Sequence, residues 1–197
     1  MDAAARSRLR RYAERLVEWN RRLNLTAIVE PGAIAELHLV DSLAVLRTLG
    51  EAGSLLDIGS GAGLPGVALA CARPGLDVTC CDSVQKKVAF VKAVAAELDL
   101  SCRARAVRAA GHPDEERLPR AEAVVSRAFA DPGRWLPLAA SYLAPGGKVF
   151  AMLGRRVQVN DIAAAAAGCG LSVDIADAFS LPRSGASRTV VRLSPRR

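Results

Sequence analysis

One stretch constrains the fold of this 197-residue chain more than any other: Leu55-Leu56-Asp57-Ile58-Gly59-Ser60-Gly61-Ala62-Gly63-Leu64-Pro65-Gly66. An apolar run ends in an acid, glycine follows at alternate positions, and a proline opens a new apolar periodicity. That order predicts a buried strand turning sharply into a helix. Glycine suits such a turn because it accepts positive φ and leaves no Cβ between the backbone and a ligand. Pro65 fits a first helical turn, where its missing N–H has no intrahelical partner to lose. The small residues from Val67 onward can pack closely on a sheet. A turn of this kind opens a nucleotide-cofactor site.

Two ligands fit the spacing. Gly61-x-Gly63-x-x-Gly66 matches the dinucleotide fingerprint, and Asp82 ends the next apparent strand, where a ribose-binding acid is expected. Asp57-x-Gly59-x-Gly61-x-Gly63 instead matches the acid-plus-glycine loop that holds S-adenosylmethionine. An acid ahead of the first glycine sits badly beside a pyrophosphate, but it can help to hold a methionine ammonium, directly or through water. Asp82 can accept from both ribose hydroxyls in either case. The residues therefore favour S-adenosylmethionine, with a nicotinamide dinucleotide as the alternative and a glycine turn without a ligand as the bland one.

At this length one domain with an extension is expected, and a hydrophobic fraction of 51% argues against general disorder. No apolar run approaches the roughly 18 residues that span a bilayer. The opening Met1-Asp2-Ala3-Ala4-Ala5-Arg6 lacks the apolar centre of a signal peptide. A soluble, cytoplasmic monomer without a membrane partner is the expectation. The five cysteines (Cys71, Cys80, Cys81, Cys102, Cys169) form no C-x-x-C pair, and only two histidines, His38 and His112, accompany them. Buried, reduced thiols and no metal site are expected. A net charge of +7 points to a polyanionic partner, since surface Lys and Arg attract phosphates and release counterions.

Taken in order, Leu9, Tyr12, Leu16, Trp19 and Leu23 form one stripe of a first helix over 6–23. A second helix is predicted from Pro31-Gly32 to about Leu49, with His38 and Asp41 on one face. Strands follow at 54–59, 77–82, 102–107, 123–126, 148–153, 171–176 and 188–193, with helices at 65–72, 85–98, 131–143 and 163–167. Residues 111–120 are read as one long polar loop, and Pro145-Gly146-Gly147 as a break. Repeated βα units imply a mostly parallel sheet covered on both faces, with ligands beyond the carboxyl ends of its strands. Asp57, Gly59, Asp82, Arg108, Ser126 and Arg127 all fall at such ends and are expected to share a crevice. Little chain remains for the second domain that a dehydrogenase needs.

Several segments then occur together: Trp19-Asn20…Asn24-Leu25-Thr26, His38…Asp41-Ser42-Leu43, the glycine loop, Asp82-Ser83…Lys86-Lys87, and Ser126-Arg127-Ala128-Phe129-Ala130. In this order, over roughly residues 9–153, they resemble the RsmG/GidB family, the bacterial 16S ribosomal RNA guanine-N7 methyltransferases. The glycine loop is common to many methyltransferases; the other segments jointly mark this family. The resemblance implies an α/β, class I S-adenosylmethionine-dependent methyltransferase fold, Rossmann-like, with a seven-stranded sheet. It also implies an N-terminal helical extension, 1–50, packed on a methyltransferase domain, 51–197. By position it places cofactor contacts on Gly59, Leu64, Ala109, Ala110 and Arg127, beside Asp57, Ser60, Gly61, Gly63 and Asp82 from the loop and strand ends. Arg127 is expected to position cofactor or base, and His38 and Asp41 to support the N-terminal wall. The chain departs from the family pattern at Leu37, Ala110 and Leu153, where an Arg, a Glu and a Lys are usual. The backbone N–H of Ala110 is available to adenine in this reading, and Arg155 and Arg156 restore charge for RNA.

The implied partner is 16S rRNA or a small-subunit particle, and the implied product is S-adenosylhomocysteine. Guanine N7 carries a lone pair and no proton, so its methylation needs no general base; orientation is the protein's task. Competing readings are a small-molecule methyltransferase, a non-catalytic relative that binds RNA or ribosomal particles, and a nicotinamide-binding protein.

Overall fold

The computed structural model describes residues 1–127, 131–154 and 157–196. Helix α1 (Ala3–Leu23) is opened by the Asp2 carboxylate, which accepts the Ala5 N–H at 2.7 Å. It is closed by Asn24, whose left-handed backbone lets its N–H return to the Asn20 carbonyl. Leu9, Tyr12 and Leu16 of its stripe are buried.

The single helix predicted after Pro31 is interrupted. It comprises α2 (Pro31–Ile34), a π-helical segment (Ala35–Val40), α3 (Asp41–Leu43) and α4 (Leu46–Leu49). The cause is tertiary. The Asp41 N–H bonds to the Glu36 carbonyl rather than to that of Leu37. The Leu37 carbonyl thus freed accepts Nη1 of Arg127 at 2.9 Å. A π turn that releases a carbonyl in this way is a recurrent device at functional sites.

Strands and helices then alternate: β1 (Ser54–Ile58), α5 (Gly66–Ala72), β2 (Asp77–Asp82), α6 (Gln85–Glu97), β3 (Cys102–Ala106), α7 (Pro113–Glu116), β4 (Ala121–Arg127), α8 (Pro132–Ala140), β5 (Leu143–Leu153), α9 (Val159–Ala167), β6 (Leu171–Ser180) and β7 (Ser187–Pro195). Two expectations are corrected. The polar loop carries α7, opened by Pro113 and followed by a left-handed Arg117. Pro145-Gly146-Gly147 does not separate α8 from β5 but lies within the strand, as an irregularity where pairing with β4 shifts between Ala121 and Ala123. There a Cβ on Gly147 would stand 2.9 Å from the Ala121 carbonyl oxygen, so the two backbones approach too closely for any side chain.

The seven strands lie in the order β3-β2-β1-β4-β5-β7-β6. The pairings among β1 to β5 are parallel, and β7 runs antiparallel between β5 and β6. From β1 the chain winds outward through β2 and β3, then returns to wind the other way through β4 and β5. The winding reverses between β1 and β4, and that is where a crevice opens beyond the carboxyl ends of a doubly wound sheet.

Side-chain alternation feeds two cores. Leu55, Val78, Cys80 and Val125 pack with α1, α5 and α6, whereas Leu56, Ile58, Cys81 and Val124 pack with α8 and α9. Adjacent Cys80 and Cys81 therefore face opposite layers. Cys71, Cys80 and Cys81 are buried, but Cys102 and Cys169 are only half-buried.

Candidate active site

The loop from Gly59 to Pro65 turns over the ends of β1 and β2. The N–H groups of Gly59 and Ser60 donate to the Cys81 carbonyl at 2.8 and 3.0 Å, carrying the strand pairing into the turn. Gly59 and Gly61 have φ of 72° and 57°. A Cβ on either would meet nothing within 4 Å, so the loop presents bare backbone to open space. Gly66 is needed for a different reason: a Cβ there would lie 2.6 Å from Cys80 Sγ and 2.9 Å from Asp57 Oδ2.

Two acids hold this loop. Asp82 Oδ2 accepts the Gly61 N–H at 2.9 Å and its Oδ1 accepts the Val84 N–H at 2.8 Å. With one backbone donor on each oxygen, the carboxylate is fixed at the end of β2 and keeps lone pairs for a ribose. Asp57 lies behind the loop and is fully buried. Its Oδ2 accepts the Gly66 N–H at 2.8 Å, while Oδ1 has no hydrogen-bond partner among the described residues. Burial pushes the Asp57 carboxyl up to about 7, against the opposing pull of the Gly66 N–H and Arg127 and with a further push from Asp82.

The facing wall is assembled from α1, the π segment and the end of β4. The Asn20 amide brackets Thr26, accepting its N–H and donating to its carbonyl, both at 2.9 Å. Thr26 Oγ1 lies 2.8 Å from His38 Nε2 and also accepts the Ile28 N–H. His38 Nδ1 lies 3.5 Å from Nη1 of Arg127. The same Nδ1 lies 3.2 Å from the Leu37 carbonyl oxygen, which can only accept, whereas a guanidinium can only donate, so the two contacts call for opposite tautomers. Burial and then the Arg127 charge lower the His38 pKa to about 4, so the imidazole is neutral at physiological pH. Asp41, also buried, lies 3.9 Å from Arg127 Nη1 and 3.3 Å from Arg188 Nε. Burial raises its pKa and the two guanidinium groups oppose that rise.

Between the walls is a cavity of about 140 Å³ lined by Gly59, Ser60, Gly61, Ala62 and Leu64, and by Leu25, Thr26, His38 and Arg127. The sequence-predicted residues thus divide. Gly59, Ser60, Gly61, Leu64, His38 and Arg127 line the cavity directly. Asp57 and Asp41 stand behind it, one under each wall. Gly63 is a packing residue, since its Cβ would meet Val67 Cγ2 at 2.4 Å. Ser126 turns away, as its alternation with Arg127 requires, and lines a small separate cavity with Trp135 and Met152. Arg108 is exposed. Ala109 and Ala110 follow β3, and the Ala110 N–H offered to adenine is engaged by Glu116 Oε1 at 2.8 Å. The same carboxylate accepts the Tyr142 hydroxyl and the His112 N–H, which ties this loop to α7. Arg155 and Arg156 lie outside the described residues.

Sequence reasoning assigned no role to Asn20, Leu25, Thr26 or Tyr12. The first three stood in a motif that apolar periodicity cannot explain. Tyr12 was hidden in a hydrophobic stripe, yet its hydroxyl donates to the Ala62 carbonyl at 2.9 Å and pins the loop to α1. Tyr12→Phe leaves that carbonyl without its donor. We expect a loss of about 1–2 kcal/mol in thermal unfolding and a severalfold weaker affinity for S-adenosylhomocysteine by calorimetry.

Comparisons with known proteins give the family and the fold. The family model described as GidB, rRNA small subunit methyltransferase G, matches residues 5–179. A ribosomal RNA small subunit methyltransferase G of Anaeromyxobacter sp. (strain Fw109-5) is 62% identical over 185 residues, covering 94% of this chain and 86% of the relative. That of Myxococcus xanthus (strain DK1622) is 50% identical over 184 residues, covering 93% and 85%. Among solved structures, a SAM-dependent methyltransferase from Geobacter sulfurreducens in complex with S-adenosyl-L-homocysteine superposes with a TM-score of 0.59 at 16% identity, covering 79% of this chain and 91% of the other.

Proposed function

The chain belongs to the rRNA small subunit methyltransferase G (GidB) family of S-adenosylmethionine-dependent enzymes, and we propose on that premise that it methylates N7 of a guanine in 16S rRNA. The observation that carries this reading is the cavity shared by the glycine loop and the Thr26–His38–Arg127 wall.

The residues suit the cofactor. The bare backbone at Gly59 and Gly61, the fixed Asp82 carboxylate and the unpartnered Asp57 Oδ1 offer a cradle, two ribose acceptors and a negative charge for an ammonium. When bound, S-adenosylmethionine supplies an electrophilic sulfonium methyl. The protein's work is then to orient the base, because N7 presents a lone pair and no proton has to be removed. A neutral His38 fits that task. It holds its place between Thr26 and Arg127 without adding a second cation where positive charge develops on the purine. Arg127, held by the Leu37 carbonyl and by Asp41, is the one cation lining the cavity among the described residues. We infer that it orients the base or the methionine carboxylate. A guanine in this position must be unpaired or extruded.

An RNA substrate has a distinct salt signature. The Michaelis constant for rRNA should rise steeply with ionic strength, while affinity for S-adenosylhomocysteine should change little. Methyl transfer to a small acceptor at an unchanged rate across the same salt range would contradict the RNA reading.

A further inference from the structure

A second cavity, of about 330 Å³, adjoins the first, at the low end of the roughly 300–1,000 Å³ range of small-ligand sites. Leu16, Val17, Ile28 and Val29 give it apolar walls, and Asn20 and Arg21 add polar groups. Thr26 lines both cavities, so the second lies beside the place where a target base would sit. Val29 is 65% exposed, an apolar side chain left at the surface beside this slot.

The charge around it is uneven. Earlier on α1, Arg10, Arg11 and Arg15 pair with Glu14, Glu18 and Glu97. Arg21 and Arg22, in the last turn, have no acidic partner among the described residues. An apolar slot lined by an unpaired arginine and set beside a base-methylation cavity matches one chemistry. A nucleobase can lay its face on aliphatic walls or on a guanidinium plane while its phosphate pairs with arginine.

We propose that this cavity is a subsite for an unstacked base of the RNA next to the methylated guanine, with Arg21 on a flanking phosphate. The inference rests on the reading of the chain as an RNA methyltransferase. It gives the enzyme a second anchor on the RNA, which fixes the strand's register before the target base enters.

The test uses Val29→Asp and Arg21→Gln in the full chain. It measures the KM for small-subunit RNA, the salt dependence, and S-adenosylhomocysteine affinity by calorimetry. A photoreactive thio-nucleotide is also placed singly on either side of the target guanine. Val29→Asp should raise KM roughly tenfold, and Arg21→Gln should raise it severalfold while lowering the salt slope by about one. Cofactor affinity should stay within about twofold, and the crosslink should fall within residues 16–34. An unchanged KM in both variants overturns the subsite, and so does a crosslink that maps elsewhere, whatever KM does. Failure of the underlying reading is separable: the wild-type chain would then bind S-adenosylhomocysteine yet methylate no RNA.

Discussion

Replacing Arg127 with alanine is expected to lower kcat for RNA methylation by roughly a hundredfold or more in a chain that still folds. The guanidinium has a double attachment. Its Nη1 donates to the Leu37 carbonyl at 2.9 Å and stands 3.9 Å from Asp41 Oδ2. Its loss removes the charged donor from a half-buried carbonyl, which keeps only the longer contact to His38 Nδ1, and leaves Asp41 to Arg188 alone. That should reduce stability by about 1–3 kcal/mol, short of unfolding a domain of this size. The larger effect is on the site. With Arg127 gone, the neutral His38 keeps Thr26 and the Leu37 carbonyl to fix its ring but loses the cation beside it, and no lysine or arginine lines the cavity among the described residues. A lysine should not rescue turnover, because its point charge lacks the planar guanidinium that meets carbonyl, carboxylate and imidazole together. Single-turnover kinetics on a variant shown to be folded by circular dichroism would check this. Wild-type turnover in Arg127→Ala would remove the residue from the mechanism.

The second large effect concerns Asp57. Its carboxyl titrates at about 7 against an ordinary value of 3.8, mainly because burial disfavours the charged form. The cofactor-free folded chain therefore holds a proton that the unfolded chain has already released. Its stability should fall as pH rises from about 4 to about 7, by on the order of 4 kcal/mol, and level off above. Cofactor binding should run the other way. A ligand ammonium favours the ionised carboxylate, so affinity for S-adenosylhomocysteine should rise up to about tenfold per pH unit as the group ionises and flatten above about 7. Asp57→Asn retains an oxygen for the Gly66 N–H and removes the charge. It should abolish both pH dependences and weaken binding at pH 8 by tenfold or more. Calorimetry across pH 5–9 with both proteins reads all of this. Parallel pH profiles for the two would refute the role given to Asp57.

Much of the fold was legible because its local signals are strong. An apolar run ending in Asp57 and the alternate glycines could only be a strand–turn–helix, and the βα alternation required a mostly parallel sheet. The strand order was not legible, since nothing local says that β4 returns to lie beside β1. Two local rules also failed for tertiary reasons. Pro145-Gly146-Gly147 reads as a break, yet the chain continues into pairing with β4 because Gly147 allows a close backbone approach. The helix after Pro31 reads as continuous, yet Arg127, some 90 residues away, claims the carbonyl of Leu37. Within the site, the loop and the ends of β1, β2 and β4 followed from position alone. The roles of Asn20, Thr26 and Tyr12 did not, because each acts through hydrogen bonds to a distant partner or across a helix end. Ala110 shows the converse: its N–H was open in the sequence and is closed in the structure by Glu116.

The central claim is that this cavity methylates a guanine of small-subunit RNA. The most direct measurement is transfer of labelled methyl from S-adenosylmethionine to 16S rRNA, or to small-subunit particles, lacking the modification, followed by nucleoside analysis. Labelled 7-methylguanosine, lost in Arg127→Ala, is the predicted result. Cofactor binding without transfer to either substrate, or label on any other nucleoside, would contradict it.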